Sequence, residues 1–143
     1  MNKAKFLACS ICAIGFALQL NAKEGQPNVV LIMADDLGYG DVGCYGATPA
    51  NVKTPHIDRL AARGLRFTGG YASASTCTPT RYSLLTGTYA FRKKGTGIAP
   101  PNAAALIQPG TVTLPSLLKK AGYKTAVIGK WHLGLGARGV GPK

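Results

Sequence analysis

Apolar residues fall into short blocks along the chain, and their spacing changes from block to block. Pro27 to Ala34, read as PNVVLIMA, is a continuous apolar run rich in Val, broken by Asp35-Asp36 and then by Gly38, Gly40 and Gly43. A short run that is apolar on both faces predicts a buried central strand of a parallel sheet. The two acids then fall at its carboxyl end, the edge at which open α/β sheets bind ligands. From Thr54-Pro55 onward Ile57, Leu60, Ala61 and Leu65 recur at three- and four-residue spacing, which predicts a helix stopped by Gly64. Phe67 to Ala72 reads as a second short strand, and Thr80 to Thr86 as a helix closed by Gly87. Residues 92–108 show no period and contain Gly95, Gly97, Pro100 and Pro101; a loop of that length is functional or mobile. Thr113 to Ala121 predicts a helix with Pro115 near its start and Gly122 at its end, and Lys124 to Gly129, KTAVIG, predicts a strand. Strand, helix and strand in this order indicate an α/β fold. Beyond Leu133 the text GLGARGVGPK predicts no element.

The amino terminus has a different character. Lys3 and Lys5 precede an apolar run from Phe6 to Leu20, and Asn21-Ala22 offers a small residue before a cleavage point. This is the pattern of a secretory signal peptide over residues 1–22. A membrane anchor needs roughly 20 apolar residues, more than this run supplies, so no stable membrane anchor is expected. The expected destination is periplasmic or secreted. Cys9 and Cys12 leave with the signal, so their C-x-x-C spacing is neither a metal site nor a redox pair. Cys44 and Cys77 remain, and in an exported protein one disulfide between them is an open reading.

Composition adds one question. The 143 residues carry 17 Lys+Arg against 5 Asp+Glu, a formal charge of +12 that falls to +10 without the signal. Such an excess first suggests a nucleic-acid or membrane-surface binder. No aromatic-interleaved basic patch or nucleic-acid motif accompanies it, so no nucleic-acid partner is expected.

Three short constellations can carry chemistry. Asp35, Asp36 and Asp41 place three of the five acids within seven residues. Adjacent carboxylates repel, and a bound hard cation such as calcium or magnesium relieves them, although one Asp can equally cap a turn. Asp41 is read as a turn residue. Next, Cys77-Thr78-Pro79-Thr80-Arg81 puts a cysteine at a helix start, where free N–H groups favour oxyanions and activate thiols, and an arginine that returns after one turn. Finally, Gly129-Lys130-Trp131-His132 supplies a fixed positive charge and a proton donor or acceptor at a strand end. The two side chains share a side if the backbone stays extended past the strand. A P-loop is excluded by the spacing from Gly122 and by the lack of Ser or Thr after Lys130.

Taken together, PNVVLIMADDLGYGDVGCYG, CTPTRYSLLTG and GYKTAVIGKWHLG, in this order, resemble the amino-terminal part of a formylglycine-dependent sulfatase, arylsulfatase-like and of the alkaline phosphatase superfamily. The resemblance runs from about Pro27 to Leu133. It implies an α/β/α sandwich with a mostly parallel central sheet, incomplete in this chain, over residues 23–143. It also implies that Cys77 is oxidised by a formylglycine-generating enzyme, that Pro79 and Arg81 belong to the signal this enzyme reads, and that Arg81 holds the modified residue. Asp35, Asp36 and the modified Cys77 would bind a divalent cation, calcium with magnesium as the alternative. Lys130 and His132 match positions that contact the formylglycine diol and the sulfate. The implied reaction is hydrolysis of a sulfate ester on a small molecule or glycan, through a covalent sulfate on residue 77.

The fourth motif position is usually Ser or Ala in this family and is Thr80 here. Sulfatases are several times longer than 143 residues, so further metal ligands, a second histidine and a second lysine are expected from other segments, and the chain alone is expected to be inactive. A phosphonate or phosphate ester hydrolase of the same superfamily, and an inactive anion-binding fragment, are the competing expectations.

Overall fold

The computed structural model describes residues 25–48 and 52–135. The segment 1–22, expected to be a signal peptide, and the text after Leu135 lie outside the described residues. Among the described residues three helices are formed: α1, Pro55–Arg63; α2, Cys77–Thr86; and α3, Leu114–Lys120. Single 3-10 turns cover Tyr39–Asp41, Gly43–Tyr45 and Ala90–Arg92.

Each helix follows from local signals. In α1 Pro55 occupies the first turn, where its missing N–H costs nothing, Asp58 and Arg63 complement the two ends of the helix dipole, and Gly64 ends it. Thr54 and Asp58 also tie its start to the preceding turn: Gly43 N–H donates to Thr54 Oγ1 at 2.8 Å and Cys44 N–H to Asp58 Oδ1 at 2.7 Å. α3 starts with a reciprocal cap, in which Ser116 N–H donates to Thr113 Oγ1 at 3.3 Å and Thr113 N–H to Ser116 Oγ at 2.7 Å. α2 ends at Gly87, whose φ of 67° is the left-handed value a glycine adopts without cost.

The core lies where α2 meets the motif that follows Lys130. Tyr82, Ala90 and Leu133 are buried together, with Leu85, Leu106, Ile107 and Trp131 packed against them. Leu133 is 1% exposed, which makes it the anchor of the carboxyl-terminal motif. The long segment 92–108 is ordered on this core rather than loose. Lys93 Nζ donates to the Leu106 carbonyl at 2.9 Å and sits over the Tyr82 ring, and Leu106 N–H donates to Leu133 O at 2.9 Å. Gly134 comes so close to the Ala104 carbonyl that a side chain there would collide with it, and its φ of 74° also requires glycine.

The expected strands differ. Among the described residues no strand is formed at 27–34, 67–72 or 124–129. A strand exists through ladder hydrogen bonds to neighbours, and none of these segments pairs with another among the described residues. Their apolar side chains stand in solvent: Val30 is 82% and Ile128 98% exposed. Segments 27–34 and 124–129 nevertheless face one another across a cleft of about 300 Å³, lined by Leu31 and Met33 on one side and Val127 and Ile128 on the other. Asp35 and Lys130 stand at their carboxyl ends, and both border that cleft. The parallel sheet is therefore an unfilled expectation here, while the placement of polar residues at the ends of the two apolar runs is as the pattern required.

Candidate active site

The Asp-Asp pair owes its geometry to a backbone turn. In an extended chain successive side chains point to opposite faces. Asp36 instead has φ 54°, a left-handed conformation that Asp tolerates better than most residues, and the chain turns there. One carboxylate oxygen of Asp35, one of Asp36 and Cys77 Sγ consequently lie within 4.8 Å of one another.

Cys77 is the first residue of α2, with its thiol half-buried and free. Cys44 is free as well, so the disulfide reading is not realised. Lys130 Nζ lies 3.4 Å from Cys77 Sγ and 2.7 Å from Asp35 Oδ2. One helical turn beyond Cys77, Arg81 donates from one guanidinium nitrogen to the Lys130 carbonyl at 2.6 Å and from the other to Asp35 Oδ1 at 3.2 Å. Arg81 therefore ties two other segments, those of Asp35 and Lys130, to the helix that carries the cysteine. Its Nε is buried without a partner among the described residues.

Two positive and two negative side chains make this cluster neutral by itself. The hydrogen bond from Lys130 holds the Asp35 carboxyl below its ordinary value of 3.8; partial burial opposes that, and Arg81 adds to it. Asp35 in turn, then Cys77, hold the Lys130 ammonium above its ordinary 10.5. The sign for stability follows directly. The Asp35 contribution is present above its unfolded value and is lost as pH falls through the lowered folded value. The Lys130 contribution is present below its unfolded value and is lost as pH rises through the raised one. An NMR titration is expected to place the Lys130 midpoint above 10.5, and Asp35→Asn to bring it down. An unmoved midpoint in Asp35→Asn would show that the pair does not form in solution.

The donor set fits a hard cation. Two oxygens each about 2.4 Å from a calcium ion are at most about 4.8 Å apart, so Asp35, Asp36 and residue 77 can share one ion. Asp35 has each oxygen engaged once by Arg81 or Lys130, and each retains a further lone pair. The fit is best with an oxygen at residue 77, because a thiol is a softer ligand than calcium or magnesium prefers.

His132 departs from the extended-backbone expectation. With φ 55° it turns away from the line of the chain, and its Nε2 lies 3.0 Å from the Ala99 carbonyl rather than beside Cys77. It joins the cluster through Thr78, whose Oγ1 donates to His132 O at 2.9 Å and accepts Ala99 N–H at 3.1 Å. Thr78 and the Ala99 segment are the functional neighbours that sequence reasoning missed; the buried second position of the CTPTR helix start was the available signal. Thr80 uses its hydroxyl to hold the Ala74 carbonyl at 2.7 Å. Asp41, read as a turn residue, accepts Gly38 N–H at 2.8 Å.

The family model described as Sulfatase matches residues 27–142. The chain belongs to the sulfatase family. It is 56% identical over 120 residues to an N-acetylgalactosamine-6-O-sulfatase of Bacteroides thetaiotaomicron, covering 83% of this chain and 23% of that sulfatase. It is 48% identical over 115 residues to arylsulfatase A of Homo sapiens, covering 80% and 22%. A solved structure concerned with the metabolism of multiple glycosaminoglycans by Bacteroides thetaiotaomicron is similar at a TM-score of 0.75 and 56% identity, over 80% of this chain and 23% of that one. The chain thus spans less than a quarter of the length of these sulfatases.

Proposed function

We propose that this chain carries the nucleophile and part of the cation site of an exported sulfate-ester hydrolase that works at the full length of its relatives. The observation that supports it most is the convergence of three cation-ligand donors within 4.8 Å with Lys130 and Arg81 at the same cysteine. Attack on a sulfate ester brings an oxygen nucleophile up to an anionic group, so the site has to offer fixed positive charge around the sulfate oxygens. Asp35 and Asp36 hold the cation, calcium in preference to magnesium, which when bound supplies further positive charge there. Residue 77, converted from cysteine to formylglycine by a generating enzyme, supplies the nucleophilic oxygen. Lys130 and Arg81 orient that oxygen and the sulfate, and His132 moves a proton between the diol and the leaving group.

The proposed substrate is a sulfated glycan, in keeping with the N-acetylgalactosamine-6-O-sulfatase to which the chain is 56% identical; a sulfated small molecule is the simpler test compound. The Lys3/Lys5 and Phe6–Leu20 pattern supports export to the periplasm or medium. In the full-length protein the segments 27–34 and 124–129 would be strands of a mostly parallel α/β/α sandwich. Their solvent-facing apolar residues and the cleft between them support that reading, because burying such surface is favourable by about 25 cal/mol per Å².

The test is a comparison on the full-length protein, expressed with the generating enzyme, of kcat/KM for an aryl sulfate against matched phosphate and phosphonate esters. A preference for sulfate is expected. A clear preference for phosphorus would replace the sulfatase reading with that of a phosphate or phosphonate ester hydrolase.

A further inference from the structure

Thr78 is the most buried polar residue described, with no solvent exposure. A hydroxyl in such a place has to find partners, and Thr78 Oγ1 has two from distant segments: the His132 carbonyl at 2.9 Å and the Ala99 N–H at 3.1 Å. Ala99 then closes the triangle. Its carbonyl lies 3.0 Å from His132 Nε2, and a carbonyl can only accept. Nε2 must therefore carry a proton. In the neutral ring the lone pair is left on Nδ1, the nitrogen that is buried without a partner among the described residues.

The backbone of His132 needs this support. Its φ of 55° is uncommon for a residue with a side chain and persists where neighbours hold it. The Thr78 hydroxyl grips its carbonyl, and the flanking residues are gripped too: Arg81 holds the Lys130 carbonyl, and Leu106 N–H the Leu133 carbonyl.

We propose that Thr78 is a positioning residue which, with the Ala99 peptide, locks His132 in the Nε2–H tautomer and so leaves Nδ1 as the proton-accepting nitrogen of the ring. What Nδ1 acts on rests on the sulfate-ester reading above; the lock itself does not. Thr78 and Cys77 share the first turn of α2, so nucleophile and imidazole are referenced to one rigid element. Valine at position 78 would keep the shape and leave the His132 carbonyl and Ala99 N–H buried without their partner. Serine would keep both hydrogen bonds.

The test is imidazole ¹⁵N NMR on the ¹⁵N-histidine-labelled full-length protein, at alkaline pH where the imidazole is neutral. His132→Gln identifies the His132 signals by their loss. The expected wild-type result is a single neutral His132 species protonated on Nε2. Thr78→Val is expected to lose that single-tautomer pattern, and Thr78→Ser to keep it. A wild-type ring protonated on Nδ1, or a folded Thr78→Val with an unchanged pattern, overturns the proposal. Should Thr78→Val unfold, wild type and Thr78→Ser decide alone, because an Nδ1–H ring in either is enough to sink the lock. None of these readings needs turnover. Absent sulfate-ester hydrolysis would therefore remove the functional reading and leave the lock standing, while a wrong tautomer would do the reverse.

Discussion

Cys77→Ala in the full-length protein is expected to reduce sulfate-ester turnover to background, a loss on the order of 10⁴- to 10⁶-fold, as when other covalent enzymes lose their nucleophile. The loss has to come from chemistry, because the substitution is mild for the fold. Alanine is the best helix former, Cys77 opens α2 with a half-buried thiol, and the thiol's hydrogen-bond partner among the described residues is Lys130. Lys130 and Arg81 keep their mutual tie through the Lys130 carbonyl and their bonds to Asp35. The variant should therefore retain affinity for inorganic sulfate and show an unchanged circular dichroism spectrum. Mass spectrometry of the wild-type peptide spanning Cys77, after expression with the generating enzyme, should show conversion of the thiol to the aldehyde. Substantial turnover in Cys77→Ala would mean that an activated water attacks directly, and an unmodified thiol in an active enzyme would exclude the formylglycine.

How far the sequence could be read depended on the range of each interaction. The helices were legible because their signals are local: Pro55 and Gly64 frame α1, Gly87 closes α2, and Thr113 with Ser116 caps α3. Asp35 and Lys130 were legible as candidates because each ends an apolar run, and Arg81 because it lies one helical turn past Cys77; the three meet in two ion pairs. The segments 27–34 and 124–129, expected as strands, were readable only as apolar runs. A ladder is a pairing between distant segments, so no local feature of PNVVLIMA says which neighbour, if any, its N–H groups will find. The same limit hid the segment around Ala99. Nothing within residues 92–108 announces that Thr78, 21 residues earlier, will take the Ala99 N–H, or that the His132 ring, 33 residues later, will settle on its carbonyl. Lys130 and His132 look like neighbours on one side of a strand, and the left-handed turn at His132 separates them.

Arg81→Lys is expected to lower kcat by roughly 10²- to 10³-fold, the scale seen when one preorganised donor to a developing charge is removed. Charge is conserved in this substitution, so the effect isolates geometry. The guanidinium reaches the Lys130 carbonyl at 2.6 Å and Asp35 Oδ1 at 3.2 Å with two different nitrogens, and its side chain is only 13% exposed. A lysine ammonium is a single point on a flexible stem and cannot span both acceptors at once. Losing the bond to the Lys130 carbonyl frees the segment that delivers Lys130 to residue 77; losing the bond to Asp35 frees a carboxylate of the proposed cation site. Arg81 also belongs to the proposed signal for the generating enzyme, so a raw drop in activity has two possible origins. Mass spectrometry separates them: kcat is normalised to the fraction of residue 77 converted. A deficit that survives normalisation places Arg81 in the reaction. Normalised turnover equal to wild type would assign it to recognition by the generating enzyme alone, and the positive charge at the sulfate would then rest on Lys130, the cation and the start of α2.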